Sequence, residues 1–126
     1  PLARAQELAP GTSARERSQI AIFEKILTGQ GAAALDAIRE HMKDWPRDAM
    51  ALAPATSVFG LIGFSGRVGR EQEQLEILVP FEKHYGGDWW YLTQLAFAQI
   101  ELGQFEEGRR NIEKALADYP KSAHAA

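Results

Sequence analysis

The sequence predicts an all-helical solenoid of three helix–turn–helix repeats, and three observations carry that prediction. Gly29, Gly66 and Gly103 recur at a spacing of 37 residues. Each glycine lies between two stretches whose apolar residues recur at three and four, which gathers them on one helical face. The second stretches of the first and third repeats close on Pro46 and Pro120, residues that stop a helix because proline lacks the N–H and crowds the preceding turn.

Taken in order, Leu2 to Leu8 reads as a short helix ended by Pro10-Gly11. The first repeat places Ile20, Phe23, Ile26 and Leu27 on one helix, turns at Gly29, and continues with Leu35, Ile38 and Met42. Asp48 is expected to cap the next helix, which carries Ala53, Thr56, Gly60, Gly63 and Phe64; Leu75, Leu78 and Val79 mark its partner. Asp88 caps the third repeat, with Trp89, Trp90, Leu92, Leu95, Phe97 and Leu102 on its first helix. Phe105, Ile112, Ala115 and Leu116 mark the second. The turns are expected at Thr28–Gly31, Ser65–Gly69 and Gly103–Gln104, with a left-handed glycine ending each first helix. A lone pair cannot cover its apolar face, so the pairs are expected to stack. The glycines between Gly60 and Gly69 make the second pair the weakest.

Gly103-Gln104-Phe105-Glu106-Glu107-Gly108, then Ile112, Ala115-Leu116 and Pro120, resembles the tetratricopeptide repeat: a turn glycine, an aromatic, a small residue, Ala-Leu and a closing proline. The first repeat shares Gly29, Ala34 and Pro46 but has Gly31 at the aromatic position. The second has Glu71 at the small position and Pro80 inside its second helix. The period of 37 exceeds the usual length of about 34. Ala14-Arg15-Glu16-Arg17-Ser18-Gln19-Ile20, Trp45-Pro46-Arg47-Asp48-Ala49-Met50-Ala51-Leu52, Val79-Pro80-Phe81 and Lys121-Ser122-Ala123-His124 resemble, more narrowly, the tetratricopeptide repeat protein 38 family. The resemblance implies a right-handed α-solenoid of three repeats, near residues 12–48, 49–87 and 88–121, after an N-terminal helix remnant. It implies further repeats on both sides, no assigned chemistry, and an excised piece of a longer chain.

Composition narrows the function classes. The 126 residues fit one domain, and 45% apolar with 25% charged residues is a globular balance. A net charge of −3 gives no basic footprint for nucleic acid. No apolar run reaches the length of a membrane span, and the start lacks the pattern of a signal peptide. Zero cysteines exclude disulfides, a thiol nucleophile and cysteine-held metal. The expected setting is cytoplasmic, without membrane or nucleic-acid partners.

Candidate chemistry is sparse. Val58 to Ile62 as a strand, the glycines between Gly60 and Gly69, and a helix from Arg70 to Lys83 would form a nucleotide cradle. The glycines fall every third residue, however, and no second strand is indicated. This nucleotide-binding or enzymatic reading is the alternative to an interaction scaffold. His41, His84 and His124 are far apart; His41 and Asp44 share a helix face but lack further ligands, so no metal is expected. Nothing marks a nucleophile elbow, so no Ser–His–Asp arrangement is inferred. Arg67, Arg70, Arg109, Arg110 and Lys114 balance an acidic surface. The expectation is no enzyme and no cofactor.

In tetratricopeptide repeats the first helices line a concave groove. Aligned on the glycines, the resemblance puts no lysine or asparagine at the groove positions, which argues against a clamp for a partner's carboxylate. The candidate binding residues are Phe23, Phe64, Trp90, Thr93, Phe97 and Glu101. Trp90 is the expected anchor, while Trp89, about 100° around the helix, packs inward. The occupant is a protein or peptide partner, or the remaining repeats of the same chain; self-association of this segment is also expected.

Overall fold

The computed structural model describes residues 1–57 and 59–123, so the proposed start of a strand at Val58, and His124, lie outside the described residues. Every regular element among the described residues is helical, as the sequence predicts. The chain divides into two units, Pro1–Pro54 and Ala55–Ala126, each with its own packing.

In the first unit, α1 (Leu2–Leu8) runs into a 3₁₀ turn at Ala9–Gly11, where Pro10 ends the pattern. Ser13 then starts α2 (Ala14–Leu27). Its hydroxyl accepts from the Glu16 N–H at 3.3 Å, and the Glu16 carboxylate accepts the Ser13 N–H at 2.8 Å. This reciprocal box satisfies two amides left open at a helix start. The chain leaves α2 through Gly29, whose φ of +76° suits a residue without Cβ. Gly29 and Gln30 donate back to the Ile26 and Lys25 carbonyls at 3.1 and 2.8 Å, a Schellman closure. α3 (Gly31–Asp44) returns against α2 and stops one residue before Trp45-Pro46. Asp48 caps α4 (Ala49–Leu52), accepting the Ala51 N–H. Ile22, Ala34, Leu35, Ile38, Met42, Ala51 and Leu52 are buried in this unit.

In the second unit, a 3₁₀ turn at Gly63–Ser65 leads through left-handed Gly66 and Gly69 into α5 (Arg70–Leu78). Pro80 breaks the expected second helix at Val79–Phe81, which is 3₁₀, and α6 (Glu82–Tyr85) follows. Asp88 caps α7 (Trp89–Glu101), and α8 (Phe105–Asp118) returns along it. Leu92 and Ala115 are buried together, with Trp89, Ile112 and Leu116 packed on them. The buried Tyr91 donates its hydroxyl to the Leu78 carbonyl at 3.0 Å and stacks on Tyr85. Gly108 lets α8 lie close on α7: a Cβ there would sit 2.6 Å from Ile100 Cγ1. That fits the small residue expected at this position.

α2–α3 and α7–α8 are the same motif two 37-residue periods apart. Both first helices end one residue before a Ccap–Gly–Gln closure; Gly103 and Gln104 donate to Ile100 and Gln99, each at 2.9 Å. Both second helices have 14 residues and end before an aromatic–proline pair.

The middle repeat departs from the sequence expectation. No continuous first helix forms from Ala49 to Phe64: α4 stops at Leu52, Ala53–Ala55 is 3₁₀, and Phe59 to Ile62 turns. Pro54 cannot donate in a continuing helix. Ser57 adopts a φ of +70°, and the chain folds back so tightly that a Cβ on Gly60 would lie 2.0 Å from the Thr56 carbonyl oxygen. Gly60 therefore serves this local turn, not a close approach between helices. The strand of the nucleotide-binding alternative is likewise not formed at 59–62.

Candidate functional site

The predicted binding residues divide between the units. Phe23 lies on α2, half-buried, in the first. In the second, Trp90, Thr93, Phe97 and Glu101 recur at three and four along α7. Trp90 and Phe97 are half-buried and Glu101 is exposed; the Trp90 ring tilts against Tyr85 at 5.8 Å. Thr93 is a correction: it is buried, and its hydroxyl donates to the Trp90 carbonyl at 2.7 Å, so it presents no group to a ligand. Phe64 is also relocated. It stands 78% exposed on the Gly63–Ser65 turn, not on a groove helix. Ala53, Thr56, Gly60 and Gly63, expected on the same helix as Phe64, lie on 3₁₀ turns and bends instead. Trp89 meets Tyr119 ring to ring at 4.7 Å and covers the Leu92–Ala115 core.

The sequence reading missed a polar cluster in the first unit. Asp48 Oδ2 accepts from Arg15 Nε at 2.7 Å, Gln19 Nε2 at 2.6 Å and His41 Nε2 at 2.9 Å. The helical spacing of Arg15, Ser18 and Gln19 puts three polar residues on the α2 face that meets α3. Burial alone would push the Asp48 carboxyl upward. The hydrogen bonds from Arg15, His41, Gln19 and the Ala51 amide outweigh it and hold Asp48 well below the usual carboxylate range. The bond to Asp48 raises the Arg15 guanidinium in turn. An ionised carboxylate only accepts, so in the neutral ring His41 Nε2 carries the proton and Nδ1 accepts from the Ser18 hydroxyl at 2.8 Å.

Ser18, His41 and Asp48 thus form a hydrogen-bonded chain of the residue types used for nucleophilic catalysis. Its surroundings do not suit that chemistry. Arg15 and Gln19 already compensate the carboxylate, and the His41 side chain has no exposed surface. Ser18 lies mid-helix, where the backbone N–H groups belong to the helix and cannot receive an oxyanion. The arrangement ties α2, α3 and the start of α4 together. Two periods on, the same five places hold Trp89, Leu92, Thr93, Ala115 and Ser122, so the hairpin closes equally without a charged group there.

Elsewhere the surface carries local ion pairs. Arg109 pairs with Glu106 and Glu113, Arg110 with Glu107, and Arg67 with Glu73. Among the described residues no group of His, Asp and Glu side chains could hold a metal ion, and no helix is long and apolar enough to cross a membrane.

Two recesses open on α2. An apolar one of about 320 Å³ includes Phe23, Ile20 and Leu27 with residues of α1 and α4. A more polar one of about 540 Å³ is bordered by Ser13, Arg15, Glu16, Gln19 and Met50. No family model, curated protein or solved structure matches the chain.

Proposed function

We propose that this chain is a tetratricopeptide-like helical-repeat module that binds a protein or peptide, acting as a cytoplasmic scaffold without catalysis. The observation that carries this reading is the recurrence of one hairpin, α2–α3 and α7–α8, with the same glycine closure two periods apart. Stacked hairpins are a scaffold for extended binding surfaces. Three 37-residue repeats remain the proposed plan, with the middle repeat modified around Pro54 and Gly60. Trp90 supports a binding role for α7, since half-buried aromatics dominate interface energy. A neighbouring helical repeat is the other occupant proposed for this surface.

The test separates the two adjacent tryptophans. Trp89→Ala should lower thermal stability by opening the Leu92–Ala115 core, whereas Trp90→Ala should leave the melting temperature near wild type and weaken capture of a partner. Equal capture by wild type and Trp90→Ala would remove Trp90 from the binding surface. The nucleotide-binding alternative is checked alongside: NAD or ATP should not shift the melting temperature, and a saturable rise would revive it.

A further inference from the structure

The two recesses on α2 adjoin, because Gln19 and Met50 border both. Their chemistry differs from one end to the other. The first is walled by Leu2 and Ala5 of α1, by Ile20, Phe23 and Leu27 of α2, and by Met50 of α4. At about 320 Å³ it falls at the lower end of small-ligand sites, which span about 300–1,000 Å³. The second brings the cation Arg15 to the polar end. Arg15 holds Asp48 through Nε. Its side chain is 51% exposed, and its terminal amino groups make no hydrogen bond among the described residues. Glu16 borders the same recess, but its carboxylate is engaged by the Ser13 N–H and hydroxyl.

We propose that the two recesses form one binding site for a single-chain amphiphile with a singly charged anionic head, a medium-chain fatty carboxylate. The tail lies between α1 and α2 against Phe23 and Leu27, where each methylene leaves water for an apolar wall. The head meets the free edge of the Arg15 guanidinium, whose planar fork matches a carboxylate. Arg15 is the single cationic side chain among the residues bordering either recess, with the Pro1 ammonium at the apolar one and the Glu16 carboxylate beside Arg15, a balance that favours one negative charge over the two of a phosphate monoester. Arg15 is already positioned by Asp48, so little side-chain freedom is lost on binding. The site needs no protein partner, and every residue bordering it belongs to the first unit.

The experiment is a titration of the full chain with sodium decanoate below its micelle concentration, followed by carbon–proton NMR, with 1-decanol as the uncharged comparison. Saturable one-to-one shifts at Ile20, Phe23 and Leu27 are expected. Arg15→Gln should weaken decanoate binding by about tenfold and leave decanol unchanged. Ala5→Trp fills the apolar recess and should abolish binding of both, with backbone carbon chemical shifts confirming that α1 and α2 persist. Because Arg15 also supports Asp48, the Ala5→Trp result decides if Arg15→Gln does not fold. Shifts that never saturate, or that saturate only at other residues, would overturn the site. So would unchanged decanoate binding by folded Ala5→Trp.

Discussion

Asp48 draws three side chains and a helix start onto one carboxylate. Removing it leaves His41 buried beside an unfilled acceptor position and α4 without its cap. Asp48→Ala should therefore cost about 2 kcal/mol or more, read as a lower urea midpoint at neutral pH. The same group sets an acid limb. Its folded pKa lies below the unfolded value, so the unfolded chain takes up the proton first as pH falls. The stabilisation is complete above about pH 4 and is lost below it. Wild type should lose more of its urea midpoint across that range than Asp48→Asn. Capping by Asp48 and Asp88 was legible in the sequence because a cap is a local device. The hub was not: Arg15 and Asp48 are 33 residues apart, and only the α2–α3 packing brings them together. His41 on the apolar stripe of α3 was the available signal, and a helix-end histidine has commoner explanations.

The hairpins were legible at the level of elements for the opposite reason. Gly29 and Gly103 end helices through bonds reaching no further than five residues, so local sequence determines them. Gly108 extends that logic to packing. An added methyl would press on Ile100 Cγ1 at 2.6 Å and the Ala96 carbonyl at 3.2 Å. The gain in helix propensity, about 1 kcal/mol, is smaller than the upper range for overpacking, about 3 kcal/mol. Gly108→Ala should accordingly lower the thermal midpoint, and Ile100→Ala in the same chain should recover part of the loss. A double-mutant cycle showing no coupling would mean that the two side chains do not compete for that space. The middle repeat was misread because apolar spacing survives there while the backbone cannot follow it. Pro54, left-handed Ser57 and the constrained Gly60 turn the chain between Leu52 and Arg70. Periodicity reports which residues seek burial, not whether the intervening peptide groups can complete a helix.

Across the whole molecule the two units carry opposite pH sensitivities. Asp48 makes the first unit vulnerable to acid. In the second, burial chiefly, with Glu82 and Tyr85 adding, raises the Tyr91 phenol above its ordinary value. The unfolded phenol then ionises before the folded one, so this stabilisation is present below about pH 10 and declines above it. Residue-resolved NMR should show signals of α2 and α3 lost first on acidification, and those of α7 and α8 first on alkalinisation. Simultaneous loss at both extremes would mean that the units unfold as one. The matched hairpins have a different consequence for change over generations of sequence. Their closure is written in Gly, Gln and an aromatic–proline stop, while the five places of the polar cluster are written separately: Arg, Ser, Gln, His and Asp in one copy, Trp, Leu, Thr, Ala and Ser in the other. Grammar and vocabulary are thus stored at different positions. A lineage, or a library, can rewrite these places of one copy as a block while the turn that folds it stays fixed.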